Sequence, residues 1–164
     1  MKALAIGLII TMISAAPATA WQTHKSTSPT DDSTTVVIIQ EAEATYTNRY
    51  GRPGRANLQI LCEQNTTALA LVLPELYTSD IGGLGKVTFR ADSNPAFAVQ
   101  MIASNDRTSL MVPSGQAIRS IKRFIGAESL FAQTLTVSES AVEVTFDLTG
   151  LDAALAPVRE TCGW

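Results

Sequence analysis

Residues 142–148 alternate without a break: Val142, Val144, Phe146 and Leu148 are apolar, while Glu143, Thr145 and Asp147 are polar. A period of two puts the apolar set on one face of a strand. That face has to be covered, so the segment demands a second layer. The pattern recurs at 86–91, where Val87, Phe89 and Ala91 point inward, and at 57–63, where Leu58, Ile60 and Cys62 share a face. Residues 34–42 are β-branched-rich, and 67–73 are apolar enough to be buried on both faces. Segments 96–103, 109–112 and 129–137 complete the set. Turn signals separate them: Gln64-Asn65-Thr66, Asp92-Ser93-Asn94-Pro95, Ser104-Asn105-Asp106-Arg107 and Ser138-Glu139-Ser140.

About eight short strands joined by tight turns predict a mainly β fold: an antiparallel sandwich or a partly open barrel. One amphipathic helix is expected over 115–125, with Ser114 as N-cap, Ile118, Ile121 and Ile125 as its apolar stripe and Gly126 beyond its end. Thr149-Gly150-Leu151-Asp152 has the spacing of a helix start. The short C-terminal helix it begins is expected to end or kink at Pro157. Residues 21–33 are polar and read as a loop, as do residues 47–56 with Gly51, Pro53 and Gly54.

Residues 1–20 have a different character. Lys2 precedes an apolar run from Ala3 to Ile13, and Ala18-Thr19-Ala20 closes it with small residues. This is the pattern of a secretory signal peptide cut after Ala20. The run is too short for a permanent membrane span. Residues 21–164 then form a single β-rich domain starting at Trp21, with no cysteine at that start to carry a lipid and no stable membrane anchor. The expected compartment is the periplasm or the medium.

Export makes the two cysteines informative. Cys62 and Cys162 predict one disulfide in an oxidising compartment, closing a loop of about 100 residues. Cys62 lies in an apolar strand pattern, where a structural bond belongs. The wide spacing is unlike the close pairs used in redox chemistry.

The chain carries 12 basic and 15 acidic residues, a net charge of −3 at pH 7, and becomes more negative once Lys2 leaves. This balance argues against nucleic acid or an anionic lipid surface as partner. His24 is the only histidine and sits in the polar N-terminal stretch, a poor place for a catalytic base. Asp31 and Asp32 are too few oxygen donors for a Ca²⁺ site. Gly82-Gly83-Leu84-Gly85 lacks the Lys-Ser/Thr of a phosphate-binding loop and reads as a bend or rim. No catalytic residues, metal ligands or cofactor site are assigned. Arg49, Tyr50, Arg52 and Arg55 form the one dense basic patch, in a Gly/Pro-rich loop, and are the candidate partner-binding residues.

Several segments resemble the VasI-like family of type VI secretion-associated proteins, exported by Gram-negative bacteria. They are Trp21 with Ser28-Pro29-Thr30-Asp31-Asp32-Ser33, the run from Leu58 to Thr67 around Cys62, Phe146-Asp147-Leu148-Thr149-Gly150-Leu151, and Cys162-Gly163-Trp164. The resemblance implies a periplasmic or secreted accessory protein with no catalytic residues to carry over and with the same cysteine pair. The expected function is a non-enzymatic envelope protein that binds protein partners, associated with type VI secretion. A small-ligand or glycan-binding module is the alternative, and a cell-envelope hydrolase the second.

Overall fold

A computed structural model describes residues 21–113 and 115–164. The predicted signal peptide and the predicted N-cap Ser114 lie outside the described residues. The strands are β1 (Gln22–Thr27), β2 (Thr34–Glu41), β3 (Tyr46–Thr47), β4 (Pro53–Gly54), β5 (Asn57–Glu63), β6 (Thr66–Val72), β7 (Lys86–Ala91), β8 (Phe97–Gln100), β9 (Ile102–Ala103), β10 (Ser109–Met111), β11 (Ser129–Leu135) and β12 (Ala141–Asp147). The helices are α1 (Ala117–Lys122), α2 (Leu151–Ala154) and α3 (Ala156–Cys162).

The strands form a six-stranded sheet in the order β1-β2-β5-β6-β10-β9, a four-stranded sheet β12-β11-β7-β8 and a small β3-β4 ribbon. All pairings are antiparallel. The sheets do not close into a barrel. Register aligns Ile38, Ile60 and Leu69 across β2, β5 and β6, and Val36, Cys62 and Thr67 beside them. Every one of these is buried. All but Thr67 share one hydrophobic cluster with Phe89, Leu130, Val144 and Phe146 of the four-stranded sheet. A bridge from Ala42 to Phe146 joins the sheets directly.

Helix α3 packs on β2, β5 and β6. It is fixed there by the Cys62–Cys162 disulfide, whose Cα atoms are 5.7 Å apart across a sequence separation of 100. The bond joins strand to tail as the cysteine count predicts.

Four local expectations are corrected. The polar stretch after Trp21 contains β1, which is exposed along its whole length and pairs with β2, so it lacks the apolar alternation that marks other strands. The stretch at 96–103 is two strands: β8 pairs with β7, and β9 crosses to pair with β10, pivoting at the buried Met101. Helix α1 is shorter than expected, and its buried face is Ala117, Ser120 and the expected Ile121, continued by Phe124, while Ile125 packs on the core only half-buried and Ile118 is half-buried. Phe124 packs edge-on against Phe89 with centroids 5.4 Å apart, so the aromatic cluster sets the helix phase. Pro157 opens α3 instead of ending a helix, since the first helical turn has no use for its missing N–H.

Candidate functional site

The loop at 47–56 is built, not loose. Asn48 is buried, and its side-chain oxygen accepts the N–H groups of Tyr50 at 2.9 Å and Arg52 at 3.0 Å. Its amide nitrogen donates to the Glu75 carboxylate. Asn48 therefore supplies the partners that the turn's backbone would otherwise find in water. The Tyr46 hydroxyl donates to the Pro74 carbonyl at 2.6 Å. Burial and then the Glu75 charge push the Tyr46 pKa up to about 12. Gly54 lies under this ring: a Cβ there would stand 2.6 Å from Cε2 and 2.9 Å from Cζ of Tyr46. Only glycine lets ring and ribbon approach so closely.

The anchored ribbon presents Arg49. Its guanidinium carbon stands 4.1 Å from the Tyr77 ring centroid and 4.6 Å from that of Tyr50. Hydrogen bonding to Tyr77, then to Tyr50, raises its pKa above the ordinary arginine value. The two rings hold the guanidinium by cation–π attraction and leave its charge without a carboxylate partner among the described residues.

Beside Arg49 lies a cavity of about 650 Å³, walled by Tyr46 and Asn48 on the ribbon side, by Tyr77, and by Val137, Ser138 and Ala141–Glu143 on the other. Its size is that of ligand and peptide sites. Exposed Tyr77 and Val137 give it apolar surface, while Thr45, Thr47, Thr136 and Ser140 add hydroxyls. Glu143 is the one carboxylate residue in the lining, and its side chain accepts a hydrogen bond from Gln133 at 2.6 Å.

The four candidate residues are not brought together. Arg49 and Tyr50 sit together at the groove. Arg55 turns away: its guanidinium donates to the carbonyls of Ala42 and, at 3.0 Å, Glu43, and stands 3.9 Å from the Glu41 carboxylate. That is a structural tie between strand ends. Arg52 lies on the exposed ribbon turn and contributes its backbone to the Asn48 cap. Sequence reasoning missed Tyr46, Asn48 and Tyr77. The readable signal was tyrosines within or beside Gly/Pro-punctuated loops, of which Tyr50 and Tyr77 stay exposed and Tyr46 packs against the core. His24 is exposed on β1, opposite Val37. Asp31 accepts from the Ser33 hydroxyl at 2.7 Å; hydrogen bonds from Ser28 and Ser33 lower its pKa, which marks a turn. Among the described residues no cluster of metal-ligating side chains occurs, and no helix is long and apolar enough to cross a membrane.

The fold and groove define a disulfide-stapled, two-sheet β protein with an aromatic-flanked arginine at the mouth of a surface cleft. Residues 9–164 match the family described as type VI secretion system VasI, EvfG, and the chain belongs to that family. No curated protein and no solved structure matches it.

Proposed function

We propose that this type VI secretion-associated protein acts in the periplasm or outside the cell, without catalysis, by binding a protein partner in the groove at Arg49. The observation that carries this reading is the guanidinium fixed between Tyr50 and Tyr77, charged and without a carboxylate partner among the described residues, beside a cavity of about 650 Å³. An arginine cation stacked against two rings at a cleft is suited to recognising an acidic group. The disulfide supports an oxidising compartment. A glycan is the second reading, favoured by the hydroxyls of Thr47, Thr136 and Ser140 in the lining.

The test is affinity capture from envelope extracts with wild-type protein and with Arg49→Gln. Recovery of a secretion component by the wild type, lost in the variant, supports the reading. Equal recovery by both moves the interaction away from the groove. Recovery of none removes the secretion role. Binding of a chitin oligosaccharide at the groove in place of protein favours the second reading.

A further inference from the structure

The wall of the groove opposite the ribbon is an unpaired strand edge. Strand β12 ends the four-stranded sheet. The Thr136 N–H donates to the Ser140 carbonyl at 3.0 Å, so these residues form a hydrogen-bonded pair of the β11–β12 hairpin. Alternation along an antiparallel ladder then turns the backbone groups of Val142, Val144 and Phe146 toward β11. Those of Ala141, Glu143 and Thr145 point the other way. An independent contact fixes the same phase: the Thr145 carbonyl accepts from the Glu43 N–H at 2.9 Å, outside the sheet.

The chain after β2 therefore closes the C-terminal half of this edge, through Glu43 and the Ala42–Phe146 bridge, and β3 then runs on near β12 without pairing to it. Two successive outward peptide units, at Ala141 and Glu143, face the groove, and no described segment pairs with them. Open edges invite pairing and are usually guarded. The edge strand β1 is polar throughout and carries Lys25, and β9 is a two-residue strand. The open half of β12 is instead set in a cleft beside a fixed cation, which is the arrangement of a recognition edge.

We infer that this edge receives an extended segment of a partner protein as an added strand, with an acidic side chain of that segment held by Arg49. The inference rests on the groove being the partner site and names how the partner is read. The ligand chemistry follows from the groove. Donors and acceptors repeating every second residue match another strand's backbone. Tyr77 and Val137, both 44% exposed, offer apolar contact to alternate side chains. Arg49 supplies charge complementarity to a carboxylate.

The probe is a phage-displayed library of unstructured peptides with one fixed aspartate, selected on the purified protein. The selected peptide is studied by amide hydrogen exchange and by titration. The amide protons of Ala141 and Glu143 are expected to slow at least about tenfold on binding, as they pass from water into a ladder. Arg49→Gln is expected to weaken binding about tenfold, the scale of one lost charge-assisted hydrogen bond. Glu143→Pro removes an outward N–H and leaves the β11 ladder its own donors, and it is expected to abolish binding. The same peptide with N-methylated backbone nitrogens tests the ladder without altering the protein, and it too is expected not to bind. Failure to enrich any peptide overturns the inference. So does binding that leaves the Ala141 and Glu143 amides unprotected, or that survives N-methylation. If those amides stay unprotected while capture of an envelope partner still depends on Arg49, strand addition is wrong and the groove reading stands. If capture is indifferent to Arg49→Gln, the groove reading is itself wrong.

Discussion

Replacing Cys162 by Ala removes the staple with little damage to the folded state. Helix α3 keeps Val158, and the preceding turn keeps Leu155, both fully buried against the sheets, so the tail retains apolar anchors. Cys62 remains in a fully buried strand position, where a free thiol behaves as a small apolar group. The effect is therefore concentrated in the unfolded chain. Releasing a cross-link across a sequence separation of 100 returns about 4.7 kcal/mol of loop entropy at 25 °C in the chain-entropy relation. Ordinary domains have only about 5–15 kcal/mol in total. We expect Cys162→Ala to lose about 3–5 kcal/mol in urea unfolding, to raise the slope of free energy against urea because the freed chain exposes more surface, and to match reduced wild type. A loss below about 1 kcal/mol with an unchanged slope would refute the reasoning, since it would mean the bond barely constrains the unfolded ensemble.

Gly54→Ala drives a methyl group to within 2.6 Å of the Tyr46 ring, and the ribbon has to shift; a loss of about 1–3 kcal/mol in unfolding free energy is expected, and an unchanged midpoint counts against the close approach. Arg55→Ala should cost about 1 kcal/mol through its carbonyl contacts at Ala42 and Glu43, while Arg49→Ala should leave the unfolding midpoint unchanged, and calorimetry of both separates the structural arginine from the exposed one. Hydrogen bonds hold the carboxyls of Asp31 and Asp106 below the usual 3.8, so the stability they add is present above pH 3.8 and is lost as pH falls through their lower folded values. Tyr46 has the opposite sign: its contribution is intact below pH 10.0 and disappears as pH rises through about 12, so urea midpoints should fall on both the acid and the alkaline limb.

The parts of the fold visible in sequence are those where burial writes a pattern. Strands β7 and β12 bury every second residue, and alternation located both. Strand β1 buries nothing and is held by backbone hydrogen bonds that any residue can make, so side-chain pattern carried no trace of it. The break between β8 and β9 was hidden for a related reason. Met101 faces the core whether the chain runs straight or crosses between sheets, and the crossing is set by its N–H donating to the Gly85 carbonyl at 2.8 Å. At Gly85 itself an added Cβ would meet the Met101 carbonyl at 2.7 Å, a long-range reason for a glycine that sequence shows only as part of a flexible run. The groove was half legible. Arg49 and Tyr50 stood out as charge and aromaticity in one loop, but Tyr77 joins them by tertiary folding, and Arg55 leaves them because two carbonyls at the end of β2 need donors.

Staple and groove lie at opposite ends of β2. Val36 is paired with Cys62 at one end, and Ala42, just past the other, meets Phe146, beyond which β12 opens to the cleft. The six residue steps between Val36 and Ala42 span about 20 Å at the rise of an extended strand. The elements forming the groove, the β3–β4 ribbon, Tyr77 and the β11–β12 hairpin, are held by Asn48, by the Tyr46–Pro74 hydrogen bond and by the Val137 N–H donating to the Tyr77 carbonyl at 3.0 Å. None of these contacts passes through α3. Loss of the disulfide should therefore lower the unfolding midpoint of the whole domain yet leave partner affinity unchanged at temperatures where the variant remains folded. Capture by Cys162→Ala, measured well below its melting temperature, checks this. A drop of tenfold or more there, about 1.4 kcal/mol, would mean that the groove's geometry depends on the docked tail.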